Sequence, residues 1–483
     1  MKLTTQRGYQ YEVDLTKCTH DQITFLHNQM GSRRYVWNKY VELYQAKQLP
    51  QNYSYVPIKG TMDWASELDS CMFDNVKRDF KKAVKDHIKN PGHFGAPRFK
   101  KKKVDEDRYK TTNNRYQKSD GTLGQSIYVR GSCVKLPKMS EELPIIKHRC
   151  IPNGARILSA TIREKSSGRI FISILVEIVI NIPDRNAVTI DRVLGLDYSS
   201  PDFYIDDQGC SPGNPHAYRN AEARIADAMS KRDRKVRGSR NHGKAKRCVA
   251  VAYESEANIR RNFTNQLSAA INKQSDIVFV EDIDLCGMAG SLRLGKSTND
   301  NGFGMFRDQL AYKLRETGGC LVRVPRFFAS SKTCSCCGSK NTELSLGDRE
   351  WVCSVCGSRL MRDVNAAVNI RECGLFGLLT EGYISSVVDE NGEIFDVREL
   401  YGAGGRSACF DELFSLVSGR VPAAGTAVVT YVLNVRQCEA YYKKNKCSFL
   451  KLDSWWCDAY LTAKKKDWAA AQEAPTSAPA LQA

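Results

Sequence analysis

The sequence predicts a multidomain α+β protein. A small β-barrel, interrupted by a helical insertion, precedes an α/β unit that carries a cysteine-rich insertion of its own. Three observations lead there. Short alternating segments fill residues 126–181, helical periodicity dominates much of 19–120, and beyond residue 191 short apolar strands alternate with long helical stretches. At 483 residues the chain has room for several domains at about 150 residues each.

The elements follow in order. GYQYEVDL alternates as a short strand does, and Thr19 and Gln22 then stand at capping-box spacing. Ile23, Leu26, Met30, Val36, Trp37, Tyr40 and Tyr44 form a helical stripe best read as core packing. A second helical stretch covers residues 62–90 and breaks at Pro91 and Gly92. FGAPRFKKKKVDEDRYKTTN then sets Arg98, Lys100, Lys101, Lys102 and Lys103 beside Phe99 and Tyr109. Such a run is usually a solvated loop, but interleaved aromatics also suit an arm that follows phosphates. SIYVRGSCVKL, ARILSATIRE and GRIFISILVEIVI read as strands, with Ser167-Gly168 as a hairpin turn. The barrel is therefore expected over 1–18 and 121–190, with 19–120 as its helical insertion.

From residue 191 the pattern changes. DRVLGLDYSSPDFYIDDQG is a strand ending at Asp197, then a turn and a second strand. A helical stretch from about 216 to 274 follows, and within its KRDRKVRGSRNHGKAKR segment nine lysines and arginines face one acid, Asp233. Arg232, Arg234, Lys235, Arg237 and Arg240 in this segment are candidate contacts to a polyanion. DIVFVEDIDL is a continuous apolar strand of the kind buried in a parallel sheet, and it ends on Glu281 and Asp282. GFGMFRDQLAYKLRETGG reads as a helix closed by glycines and CLVRVPRFF as another strand. Residues 374–483 form an extension with one strand candidate, TAVVTYVLNV, an aromatic pair at Trp455 and Trp456, and a tail, QEAPTSAPALQA, expected to be disordered.

The formal charge is +18, and its clustering favours nucleic acid over a merely solvated surface. No apolar run approaches the ~18 residues of a membrane span, and MKLTTQRGYQYEVDL has no apolar signal core. No membrane partner is expected, and the protein is placed in a bacterial-type cytosol, with the nucleoid. In that reducing setting 18 cysteines point to thiols or metal ligands more than to disulfides.

Two constellations carry chemistry. Cys334, Cys337, Cys353 and Cys356 read C-x2-C-x15-C-x2-C, each pair followed by glycine. Four thiolates so spaced supply a closed tetrahedral zinc site, which leaves no open position and is structural. Cys336 lies between the first pair and is excluded. The second set is dispersed: Asp197, Glu281 and Asp363. Two end strands, where open α/β sheets bind ligands, and Asp363 in RLMRDVNAAVNI opens the last helix. Converging carboxylates bind two hard cations, here magnesium, that activate water for in-line attack. Singly, each acid has a plainer reading. Asp363 is at an N-cap position, Asp197 starts a turn with Ser199, Ser200 and Pro201, and Glu281 has Asp282 and Asp284 as rivals. Their order around the cysteine insertion favours a joint catalytic role, in which Arg362 either places a phosphate or forms an ion pair.

With these motifs in hand, the chain resembles the TnpB family of transposon-encoded RNA-guided nucleases and the compact type V CRISPR effectors. The resemblance rests on GLDYSSPDFYIDDQG, VFVEDIDL, RVPRFFASSKTCSCCG, EWVCSVCG, RDVNAAVNI and GAPRFKKKK, and it spans roughly residues 8 to 373. It implies a wedge-like barrel with a helical recognition insertion, then an RNase H-like RuvC-type nuclease over 191–330 and 360–373, with the zinc-binding insertion at 331–359. It implies guide RNA and double-stranded target DNA as partners, and cutting beside a short flanking motif, while leaving monomer or homodimer open. It matches the RuvC-type acids to Asp197, Glu281 and Asp363. Two departures stand out: Leu360 and Met361 replace the family's usual His-Asp pair, and YSSP replaces a glycine-containing turn. The alternatives are a nuclease-inactive RNA-guided repressor, against which the complete acid set speaks, and a DNA transposase of the same fold.

Overall fold

The computed structural model describes residues 2–102, 107–117, 121, 123–181, 187–291, 300–326, 328–345, 347–380, 386–388, 394–396 and 451–452. TAVVTYVLNV, Trp455, Trp456, the Ala/Pro-rich tail and Lys103 lie outside these residues. The chain forms two compact units. One comprises Lys2–Asn181 and Ile225–Glu254, the other Ile182–Arg224 and Ser255 onward.

The first unit is built on strand β1 (Lys2–Val13), which pairs antiparallel with β9 (Ile170–Asn181) from Lys2↔Asn181 to Glu12↔Phe171. β9 buries Ile170, Ile172, Ile174, Val176 and Ile178, the period of two that holds one face on a core. β8 (Arg156–Glu164) joins β9 through the Ser167-Gly168 turn, with Gly168 at φ 81°. β2 (Asp107–Thr112) adds beyond β8, and β7 (Leu143–Ile146), β6 (Cys133–Lys135) and β5 (Tyr128–Arg130) extend the other side. A small pair, β3 (Arg115–Gln117) with β4 (Leu123–Gln125), stands apart. Among the described residues β2 and β5 do not pair with each other, so the expected barrel is here an open seven-stranded sheet. The helical insertion expected over 19–120 also ends early, because Asp107–Thr112 is already sheet.

Helix α1 (His20–Gln45) starts as its sequence requires: the Thr19 hydroxyl accepts from the Gln22 N–H, and the Gln22 side chain accepts from the Thr19 N–H at 2.9 Å. After the short α2 (Val56–Gly60), α3 (Ser70–Lys89) is capped by Asp69. Phe80 of α3 packs on Trp37 and Tyr40 of α1 with centroids 5.2 and 5.1 Å away. Helices α4 (Ala217–Asp233) and α5 (Arg240–Gln274) replace the single expected stretch. Gly238 at φ 85° breaks the run, and the Ser239 hydroxyl restarts it by accepting from His242 N–H.

The second unit contains a five-stranded sheet in the order β12-β11-β13-β14-β19. β11 (Val193–Ser199), β13 (Ile277–Glu281) and β14 (Cys320–Val324) are parallel, while β12 (Phe203–Asp206) and β19 (Lys451–Leu452) close its edges antiparallel. β10 (Ala187–Thr189) pairs with β17 (Ser386–Val388), which pairs with β18 (Ile394–Asp396). After the short α6 (Leu285–Ser291), α7 (Phe303–Thr317) covers one sheet face, where Leu196, Val278, Val280 and Leu321 meet Phe306 and Leu310. The last helix, α8 (Arg362–Thr380), covers the other face. It lies so close to β11 that a Cβ on Gly195 would fall 2.2 Å from the Ala367 carbonyl oxygen. The hairpin β15 (Glu350–Val352) and β16 (Arg359–Met361) leads directly into α8. Among the described residues no helix is long and apolar enough to cross a membrane.

Candidate functional site

Strand register explains how two of the acids come together. Leu196 pairs with Val280, so the next residues, Asp197 and Glu281, stand level at the carboxyl edge of parallel neighbours. Side chains alternate along a strand, so Asp197 shares the face of Gly195, and Glu281 shares the face of Phe279. Both faces meet α8: Gly195 lies under Ala367, and a Cβ on Gly374 would fall 2.0 Å from Phe279 Cδ1. One helical turn back from Ala367 is Asp363, at the helix start above Asp197.

The electrostatics report the same convergence. Burial, then repulsion from Glu281 and Asp363, push the Asp197 carboxyl well above the usual carboxylate range, against the opposing charge of Arg362. Burial pushes Glu281 up to about 7, Arg326 opposing and Asp282 adding to the rise. Asp282, one of the rivals, is instead committed to Arg323 at 3.0 Å on the opposite face. Asp363 is held by two guanidinium groups, Arg349 on Oδ2 and Arg362 on Oδ1, each at 2.9 Å. Arg362, only 14% exposed, is therefore an ion-pair partner of Asp363. Arg349 went unnoticed in the sequence, since an arginine in a polar turn carries no spacing signal. Among the described residues the three acids do not draw together as tightly as the cysteines do.

The cysteine cluster is compact. All four sulfur ligands lie within 4.8 Å of one another, with Cys334 to Cys356 at 3.7 Å and Cys337 to Cys353 at 3.4 Å. Gly338 and Gly357 take φ of 69° and 72° in the two knuckle turns, conformations that side chains disfavour. Against burial, hydrogen bonds from the Ser339 hydroxyl and from backbone N–H groups lower the Cys353 thiol to about 6. Such a set can hold a metal ion. Leu360 packs with Trp351 and Leu344 in the small core around these cysteines, whereas Met361 is exposed. The departure at Leu360 thus belongs to the packing of the cysteine module.

The basic candidates divide. Arg98, Lys101 and Lys102 are exposed, while Lys100 lays its ammonium 3.7 Å from the Trp37 ring centroid and its backbone is gripped by Asn38. Arg234, Lys235, Arg237 and Arg240 are exposed at the α4–α5 turn, and Arg232 is paired with Asp233 at 2.8 Å.

Known proteins resemble parts of this chain. Residues 303–370 match the domain family described as Cas12f1-like, TNB domain, and residues 1–47 match a helix-turn-helix domain of the OrfB, IS605 type. In this chain the latter residues form one strand and one helix. A protein of Streptomyces pristinaespiralis, provisionally named an RNA-guided DNA endonuclease, is 28% identical over 368 residues, covering 74% of this chain and 87% of its own. InsQ of Escherichia coli K12, under the same provisional name, is 25% identical over 327 residues, or 64% and 76% of the two chains. The cryo-EM structure of a Cas12f1–sgRNA–target DNA complex shares the fold with a TM-score of 0.51 at 11% identity, covering 76% of this chain and 99% of that one. Taken together, these likenesses set the chain beside the IS605 OrfB and Cas12f1-like proteins, which it resembles in parts of its sequence and in its fold.

Proposed function

We propose that this protein is an RNA-guided DNA endonuclease that hydrolyses phosphodiesters of a double-stranded target beside a short flanking motif. The observation that carries this reading is the placing of half-buried Asp197 among the charges of Glu281 and Asp363 at the carboxyl edge of a parallel sheet. A half-buried carboxylate repelled by two others and opposed by Arg362 is a donor set short of positive charge, which a hard divalent cation supplies. Magnesium bound there would polarise the phosphate and bring a water's proton into range at neutral pH. Asp197, Glu281 and Asp363 would serve as oxygen ligands. Glu281 can do so only once it has lost the proton it retains up to about 7. Guide RNA and target DNA are the partners proposed, by the charge of +18 and by the names of the relatives. At Zn–S bonds of about 2.3 Å a tetrahedral site separates sulfurs by about 3.8 Å, so the cluster suits zinc, held as a structural ion by Cys334, Cys337, Cys353 and Cys356.

The test is guided cutting by wild type, Asp197→Ala and Glu281→Ala in magnesium, with RNA and DNA binding measured in parallel. Loss of cutting on the order of a thousandfold or more, with binding retained, is expected. Equal cutting by the variants removes the acids from the mechanism. Guided binding without cutting by the wild type indicates a repressor, and purification without a defined RNA indicates a transposase.

A further inference from the structure

Helix α8 carries two buried asparagines, Asn365 and Asn369, four residues apart on one helical face and only 2% and 3% exposed. Both amide groups donate to the same two carbonyl oxygens. Asn365 reaches Thr333 O at 2.7 Å and Ser330 O at 3.3 Å, and Asn369 reaches them at 2.7 and 2.8 Å. Asn365 Oδ1 also accepts from the Ser335 N–H at 2.8 Å. Those three loop residues flank Cys334, so the pair ties the first knuckle of the cysteine cluster to α8. From Asn365 to Asp363 is half a helical turn, and the helix packs closely on Gly195.

Packing on Gly195 and Phe279 holds the sheet-facing side of α8, and side contacts away from the sheet hold its start. The asparagine clamp supplies those contacts at the end where Asp363 lies. We infer that Asn365 and Asn369 are positioning residues, which set the orientation of Asp363 toward Asp197 by locking α8 to the knuckle loop. The inference rests on the reading of Asp363 as a cation ligand.

The decisive variant is Asn369→Leu, because Asn365 continues to bond both carbonyls and the loop keeps its partner. In the full chain bound to its RNA, affinity for Mn2+ alone is read by electron paramagnetic resonance beside zinc content and thermal unfolding. Mn2+ affinity is expected to fall about tenfold at full zinc content, the scale of losses outside a ligand shell. In an Asp363→Ala background the same substitution should add no further loss. Unchanged Mn2+ affinity in Asn369→Leu, with Asp363→Ala weakened, overturns the positioning role and leaves the site reading standing. If Asp363→Ala itself binds Mn2+ as wild type does, both fall. Should Asn369→Leu not fold, Asn369→Gln, which keeps the amide on a longer arm, is read the same way: shifted affinity supports the role and unshifted affinity overturns it.

Discussion

Glu281 ends a strand whose other four residues are buried, so its carboxyl begins life where water is scarce. Folding lifts it from an ordinary 4.5 to about 7. Between those values the folded chain binds more protons than the unfolded one, so stability falls as pH rises from 4.5 through about 7. Glu281 alone contributes roughly 3 kcal/mol to the whole decline, and Asp197, raised for similar reasons, adds in the same direction. Thermal unfolding of the cation-free protein between pH 5 and 8 should show the decline, and Glu281→Gln should remove its part of it, leaving that of Asp197. A slope unchanged in that variant would place the titration elsewhere. Magnesium should oppose the decline, since it binds the deprotonated acids.

Two contacts decide where α8 sits, and both are open to test. The first is the close approach at Gly195, where any Cβ meets the Ala367 carbonyl and Arg371. Gly195→Ala should therefore cost about 1–3 kcal/mol and lift the helix that carries Asp363. Unfolding and guided cutting would both register it, and a wild-type melting temperature would mean that the helix is free to move aside. The second is the cysteine module. Cys334→Ser should release the metal and lower the unfolding temperature, since such clusters fold around their ion. Metal content equal to wild type would refute the four-sulfur site. Leu360 shows why a motif departure can be mild: it is a core residue of that module, and in the proposed site the chemistry beside it falls to Asp363.

For the whole molecule the open matter is how a charge of +18 meets a polyanion. Lys100 is spent on Trp37, so its loss should act through packing, whereas Lys101 and Lys102 are exposed. Replacing Lys101 and Lys102 by glutamine should weaken binding across sequences and flatten the log-affinity against log-salt slope by about 1 per lost phosphate contact. An unaltered slope would return the run to a solvated loop.

Local chemistry was legible in the residues themselves. The capping box at Thr19 and Gln22, the turn at Ser167-Gly168 and the cysteine spacing each depend on neighbours a few positions apart, and the structure builds all three. The order of apolar strands and helices after residue 191 likewise implied a parallel sheet, because continuous apolar strands need cover on both faces. Long-range pairing was not legible. An open sheet and a closed barrel share one alternating pattern, and β2 joined the sheet from inside a stretch read as helical. The same limit hid Arg349 and the asparagine clamp, whose partners lie 14 to 39 residues away. Sequence thus determined which residues carry charge, sulfur and apolar surface. The register of β11 against β13 and the seat of α8 on Gly195 decided that Asp197, Glu281 and Asp363 share one corner, because burial and repulsion arise only where separate segments meet.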